Sequence, residues 1–130
     1  MNRKDTVKKK KILVVDDEGD LLKLEKARLE TSGYVVITLD SGARVLEIAK
    51  SEKPDIILLD MVMPGKNGCE VCRDLKADPA TRGIPVIIFT AHYPEEEYLK
   101  VGSGDVGADD YIIKPFEASE LLAKIKFLIK

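Results

Sequence analysis

The sequence predicts one α/β domain built on a doubly wound, five-stranded parallel sheet with helices on both faces. Three observations predict it. Short apolar runs and helical patterns alternate five times along the 130 residues. The apolar runs are nearly continuous Ile, Leu and Val instead of alternating with polar residues, which is the pattern of strands buried on both faces. No linker, repeat or low-complexity tract interrupts the alternation, and such an alternation imposes right-handed crossovers and a parallel sheet. A chain of this length makes one domain of ordinary size and buries roughly two thirds of its unfolded surface in a single core.

The elements follow in order. Ile12 to Val15 reads as the first strand. The helical pattern Leu21, Leu22, Leu24, Ala27 and Leu29 comes next and stops at Gly33, a residue suited to a left-handed C-cap. Tyr34 to Thr38 is the second strand, and a helix from about Ser41 uses Val45, Leu46, Ile48 and Ala49 and ends before Pro54. Ile56 to Leu59 is the third strand. A third helix begins at about Asn67, uses Val71, Cys72 and Leu75, and ends near Asp78 and Pro79; Val86 to Phe89 is the fourth strand. Pro94 to Lys100 opens as a helix does, with Pro and acids in its first turn. Val101 to Gly107 then carries three glycines, and each interior Gly costs roughly 1 kcal/mol relative to Ala. This fourth helical region is expected to be short, frayed and mobile. Tyr111 to Ile113 is the fifth strand, and the last helix uses Leu121, Leu122, Ile125, Phe127, Leu128 and Ile129.

Composition narrows the class. No apolar run approaches the ~18 residues of a membrane span, and the first eleven residues lack the apolar segment of a secretory signal, so a cytoplasmic protein is expected. Those eleven residues carry Arg3, Lys4, Lys8, Lys9, Lys10 and Lys11 against Asp5, a charge of +5 that leaves −7 for the rest of a chain whose net charge is −2. Residues 1–10 read as a disordered, solvated leader and 11–130 as the domain, and because the domain is acidic no direct nucleic-acid contact is expected of it. Cys69 and Cys72 are the only cysteines. A structural zinc usually takes four ligands, and a thioredoxin-like pair directly follows a strand, so the two read as small residues on one helix face.

The strand ends carry the chemistry. Asp60 closes the run Pro54-Asp-Ile-Ile-Leu-Leu-Asp60 just before Met63-Pro64-Gly65, and ligand sites of open α/β sheets lie at the carboxyl ends of strands. One such Asp alone would be an ordinary exposed strand-end carboxylate. Here the first strand also runs into Asp16-Asp17-Glu18, the fourth ends at Thr90-Ala91 and the fifth at Lys114-Pro115. In a sheet of order 2-1-3-4-5 the first and third strands are neighbours, so Asp16, Asp17 and Asp60 meet in the crevice where the winding reverses. Three carboxylates at ~4 to 6 Å repel by a few kcal/mol at an effective dielectric near 20, and such a cluster needs a cation or a raised pKa. Hard oxygen ligands with open coordination positions favour Mg²⁺. Lys114 and Thr90 offer an ammonium and a hydroxyl opposite, a set able to stabilise a phosphoryl group while one carboxylate attacks phosphorus.

Four stretches in this order, Ile12-Leu-Val-Val-Asp-Asp-Glu18, Asp60-Met-Val-Met-Pro-Gly-Lys-Asn-Gly68, Phe89-Thr-Ala91 and Asp109-Asp-Tyr-Ile-Ile-Lys-Pro-Phe116, resemble the receiver domain of two-component response regulators of the chemotaxis-regulator kind. The resemblance covers Lys11 to Lys130 and implies a flavodoxin-like (βα)5 fold. It implies that Asp60 is the phosphoacceptor, that Asp17, Asp60 and the backbone carbonyl of Val62 bind Mg²⁺ directly, and that Asp16 acts mainly through water. It also implies that Thr90 and Lys114 contact the phosphoryl oxygens, that Tyr111 is an aromatic switch coupled to Thr90, and that the Lys114-Pro115 bond is cis. Two departures stand out. Lys66 sits where the family often has an apolar residue, and Thr90 to Lys114 is about two residues longer than usual. Val62 and His92 should flank the mouth of the site.

The expected function is a phosphorylation switch. A sensor histidine kinase or phosphotransfer protein donates a phosphoryl group to Asp60, and the added charge shifts a two-state equilibrium read by a downstream protein at the face of the fourth helical region, fifth strand and last helix. On this reading the chain is not an enzyme acting on other molecules; it catalyses only its own phosphorylation and dephosphorylation. An excised receiver of a larger regulator or hybrid kinase is one alternative. A Mg²⁺-dependent aspartyl-nucleophile phosphatase of the haloacid-dehalogenase type is another, but that class expects a second acid two residues on, where this chain has Val62.

Overall fold

The computed structural model describes residues 9–90 and 107–129. The elements are β1 (Lys11–Val15), α1 (Gly19–Thr31), β2 (Val35–Leu39), α2 (Val45–Glu52), β3 (Ile56–Asp60), α3 (Gly68–Ala77), β4 (Val86–Thr90), β5 (Asp110–Ile113) and α4 (Ala118–Ile129). All strand pairs are parallel, in the order β2-β1-β3-β4-β5, so the expected doubly wound sheet is present. The fourth helical region, His92 and Val101 to Val106 lie outside the described residues.

Strand periodicity divides the core into two layers. Leu13, Val15, Ile57, Leu59, Val86 and Ile88 pack with Val45 and Ala49 of α2 and with Val71, Cys72 and Leu75 of α3. The residues between them in sequence, Ile12, Val14, Ile56, Leu58, Ile87 and Phe89, pack with Leu22 and Leu29 of α1 and Leu121 and Ile125 of α4. Both faces of β1, β3 and β4 are therefore dry, which is why these strands carry almost no polar residue before their last position. Full burial of each Leu or Ile side chain contributes roughly 1.5–3 kcal/mol.

Helix ends follow local chemistry. Gly33 adopts φ +99° after α1, and Lys53 sits in the left-handed region at the end of α2. At α3 the Asn67 side chain accepts from the Glu70 N–H at 2.9 Å, while the Glu70 carboxylate accepts from the Asn67 N–H at 2.9 Å. This reciprocal pair satisfies two of the donors left open at the start of the helix. The second helix starts at Val45, not at about Ser41. A Cβ on Gly42 would stand 2.8 Å from the Val71 side chain and 3.1 Å from the Lys66 carbonyl, so the close approach to α3 holds residues 41–44 in a turn. Cys69 and Cys72 are buried free thiols on α3, and Cys69 Sγ donates to Met61 Sδ at 3.3 Å.

Replacing Asn67 by Ala removes one half of the capping pair and should destabilise the domain by about 1 kcal/mol. Urea denaturation should show a lower midpoint at unchanged slope; an unaltered midpoint would mean that the pair contributes nothing to holding α3.

Candidate functional site

The register of the sheet assembles the site. Val15 pairs with Leu59 across β1 and β3, and Asp60 pairs with Phe89 across β3 and β4, so the next residues, Asp16, Met61 and Thr90, emerge together at one edge. Asp16 N–H still donates to Leu39 O at 3.1 Å, Met61 N–H to Phe89 O at 2.8 Å, and Lys114 N–H to Thr90 O at 2.7 Å. Asp16, Thr90 and Lys114, and the residue that follows Asp60, are thus fixed by backbone bonds that continue the ladders. Asp16 Oδ1 accepts from the Glu18 N–H at 2.9 Å, which sets the turn into α1 and leaves Asp16 Oδ2 facing the crevice.

Carboxylate oxygens of Asp16, Asp17 and Asp60 lie within 4.8 Å of one another. Asp16 and Asp60 are 4% and 7% exposed, whereas Asp17 is exposed to solvent. Lys114 Nζ donates to Asp60 Oδ1 at 3.0 Å and stands 3.7 Å from Asp16 Oδ2. One ammonium therefore serves two buried carboxylates. Burial pushes the Asp60 carboxyl above its ordinary pKa; the Lys114 hydrogen bond and charge oppose this, and Asp16 and Asp17 add to it. For Lys114 burial acts to lower the pKa, but the bond to Asp60 and the charges of Asp60, Asp16 and Glu18 outweigh it and hold the ammonium above the ordinary lysine value. The lysine stays charged, and it does not fully offset the cluster.

The remaining sequence-selected residues surround this core. Thr90 is 5% exposed at the end of β4, Val62 is 74% exposed beyond Asp60, and the Lys114-Pro115 peptide is cis. Tyr111 lies opposite Ile88 on the edge strand β5, two strands from β3, and packs on the α2 and α3 side of the sheet.

Two residues escaped sequence reasoning. Gly68 N–H donates to Met61 O at 2.8 Å, and a Cβ at Gly68 would stand 2.5 Å from the Asp60 carbonyl and 3.0 Å from Met61 Cα. Only glycine lets α3 start directly against the strand end that carries Asp60. Glu25 is 6% exposed in α1, between buried Leu22 and Leu29. The spacing 22, 25, 29 is that of a buried stripe, and an acid in such a stripe is the signal that could have found it.

The chain matches the family model of the response regulator receiver domain over residues 12–126, and it belongs to that family. It is 43% identical over 121 residues to the alkaline phosphatase synthesis transcriptional regulatory protein PhoP of Bacillus subtilis, covering 93% of this chain and 49% of that protein. The chain spans about half the length of the curated relatives it matches. Among solved structures it resembles the signal receiver domain of a signal transduction histidine kinase from Syntrophus aciditrophicus, with TM-score 0.83, 32% identity, and coverage of 92% of this chain and 89% of that one. It also resembles the receiver domain of a sensor histidine kinase from Pseudomonas aeruginosa that has a magnesium ion coordinated in its active-site cleft. There the TM-score is 0.81 at 27% identity, covering 94% of this chain and 98% of that one. No helix among the described residues is long and apolar enough to cross a membrane.

Because the folded-state pKa of Asp60 is raised, its contribution to stability is fully present below the unfolded value of about 3.9 and is lost as pH rises through the folded value. Asp60→Asn removes that titration. In metal-free buffer the variant should melt higher than the parent at pH 7, and the gap should close as pH falls toward 4. A variant that melts lower at pH 7 would show that Lys114 more than offsets the burial of Asp60.

Proposed function

We propose that Asp60 accepts a phosphoryl group from a sensor histidine kinase or phosphotransfer protein and that the domain works as a phosphorylation-activated signalling switch. The observation that carries this is the placement of the Lys114 ammonium 3.0 Å from Asp60 within a cluster of three carboxylates. In the transfer an Asp60 carboxylate oxygen forms a bond to phosphorus while the bond from phosphorus to the donor breaks. The electron pair leaves on the donor, an imidazole nitrogen or an acyl-phosphate oxygen. Lys114 and the Thr90 hydroxyl, at the ends of β5 and β4, would hold phosphoryl oxygens, and the charge they meet is the one that develops there.

The donor set also fits a hard divalent cation. It is all oxygen, partly open to solvent through Asp17, and carries more negative charge than Lys114 neutralises. Asp17, Asp60 and the Val62 carbonyl would hold Mg²⁺, with Asp16 acting through water. Bound there, Mg²⁺ supplies the positive charge that offsets carboxylate and phosphoryl oxygens together. By this reading the domain promotes its own phosphorylation and dephosphorylation. The aspartyl-phosphatase alternative lacks support, since Val62 occupies the position where that class needs an acid.

The phosphorylated state is read out through Thr90 and Tyr111 at the β5 and α4 face, where Lys124 Nζ donates to Asp110 Oδ2 at 3.0 Å. Its output is a protein contact or, as the names of its longer relatives suggest, an attached transcriptional unit.

Incubation with acetyl phosphate and Mg²⁺ should add one phosphoryl group per chain by intact mass, and chelation of Mg²⁺ or Asp60→Asn should abolish it. Lys114→Met should slow labelling by about a hundredfold or more, on the order of the effect of removing one preorganised electrostatic partner. Undiminished labelling of Asp60→Asn would place the acceptor elsewhere.

A further inference from the structure

The chain has three Met and two Cys, and all of them but Met1 meet in one layer of the core, between the sheet and α2 and α3. Met61 and Met63 are 4% and 5% exposed, Cys69 and Cys72 2% and 0%. Cys69 Sγ stands 3.3 Å from Met61 Sδ. Cys72 follows Cys69 by one turn of α3, and side chains at that spacing share a helix face with Cβ atoms about 5–6 Å apart. The Asp60 carboxylate lies in the crevice, whereas the side chain of Met61 lies in this layer. Neighbouring residues thus serve two clusters, one of oxygen and one of sulfur.

As packing, the thiol-to-thioether contact contributes little, since a thiol is a weak donor and a thioether a weak acceptor. A disulfide does not fit the spacing, because its Cβ atoms lie about 3.5–4.5 Å apart, closer than one helical turn holds them. Burial also pushes the Cys69 thiol above its ordinary pKa, with Arg73 opposing and Glu70 adding to the rise, so reactive thiolate is scarce. A metal ion spans the wider gap. Three sulfurs bonded to one ion at about 2.3 Å, as in zinc thiolates, stand ~4 Å from one another, so the Cys69 and Met61 sulfurs need part by only ~0.7 Å. Two thiolates with a thioether select a soft ion of the Cu(I) kind, whereas zinc completes a tetrahedron from Cys and His and Mg²⁺ requires oxygen. Two thiolates around one Cu(I) leave a charge of −1. Arg73 stands close enough to Cys69 for its charge to act on the sulfur, and its buried Nε has no hydrogen-bond partner among the described residues. Helix ends open more readily than helix interiors, and Cys69 lies in the first turn of α3, which gives the ion its path in.

We propose that Cys69, Cys72 and Met61 form a three-coordinate site for a soft monovalent metal ion, Cu(I) in chemical class, with Arg73 offsetting the charge of the complex. On binding, each thiol gives its proton to solvent and its sulfur bonds to the ion. The Met61 thioether adds a third bond through a lone pair, and the ligands that carried the ion in solution leave. No electron changes hands. The site does not depend on phosphoryl transfer at Asp60, because hard and soft ions sort to the oxygen and sulfur clusters.

The test is an anaerobic titration of the reduced full chain, its methionine methyls labelled with ¹³C, with Cu(I) supplied as the acetonitrile complex in competition with bicinchoninate, a chromogenic Cu(I) chelator. The chain should take one Cu(I) from the chelator, and the Met61 methyl resonance should move in proportion to loading. Cys69→Ala and Cys72→Ala should each weaken binding by about a hundredfold or more, since loss of a residue that only supports a metal ligand already costs about ten- to a hundredfold. Met61→Leu, a volume-conserving change, should weaken it about tenfold. The methyl reading uses the parent chain and stands whether or not a variant folds. An unmoved Met61 methyl, affinity that survives either alanine substitution or Met61→Leu, Zn²⁺ bound as tightly as Cu(I), loading only with loss of the native circular dichroism, or no uptake at all would each overturn the proposal.

Discussion

Mutual repulsion of carboxylates at the edge of a buried sheet is the constraint around which this domain is organised. The β1–β3 register leaves Asp16 and Asp60 no choice but to meet, since each follows a strand held by backbone bonds along its length. Like charges within 4.8 Å and largely out of solvent cost a few kcal/mol at an effective dielectric near 20. Among the described residues, Lys114 is the cation that reaches both buried carboxylates. Its pull is insufficient, and the Asp60 carboxyl remains above its ordinary pKa. A site poised in this way favours any ligand that brings positive charge and any modification that needs a reactive, partly desolvated carboxylate.

The neighbouring structure keeps that unfavourable arrangement in place. The two apolar layers on either side of β1, β3 and β4 supply the stability that the edge lacks. Gly68 lets α3 pack directly against the Asp60 carbonyl, and the Asn67–Glu70 pair fixes where that helix begins. At the far side Lys76 Nζ donates to Ile84 O at 2.8 Å and to Asp109 Oδ2 at 3.0 Å, while Asp109 also accepts from Val86 N–H at 2.8 Å. These bonds pin the start of β5, and hence the Lys114 that ends it, to β4 and α3.

Much of this was legible in the sequence. The five strands and the four helices among the described residues fall close to where apolar runs and helical spacing place them, because a strand buried on both faces has little freedom of composition. The meeting of Asp16, Asp17, Asp60 and Lys114 followed from strand order and from the resemblance of four ordered motifs. What escaped has a common cause: it depends on approach between segments distant in sequence. Gly42 stops α2 from starting early only because Val71 and Lys66 lie against it. Gly68 reads as one more turn glycine until the Asp60 carbonyl is seen 2.5 Å from where its Cβ would stand. Glu25 is the exception: it lies with Leu22 and Leu29 in the buried stripe of one helix, a spacing that the sequence itself displays. The expectations for His92 and the glycine-rich stretch concern residues outside those described.

Incomplete neutralisation of Asp60 by Lys114 is the property from which metal and phosphoryl binding both follow. Carbon-detected NMR titration of the Asp60 side-chain carboxyl in the metal-free protein, with Asp60→Asn as the assignment control, measures it directly. The midpoint should lie above the ordinary aspartate value of about 3.9 and climb further in Lys114→Met. A midpoint at or below that value would mean that the lysine already balances the cluster, and that an unbalanced charge is not what draws metal and phosphoryl groups to Asp60.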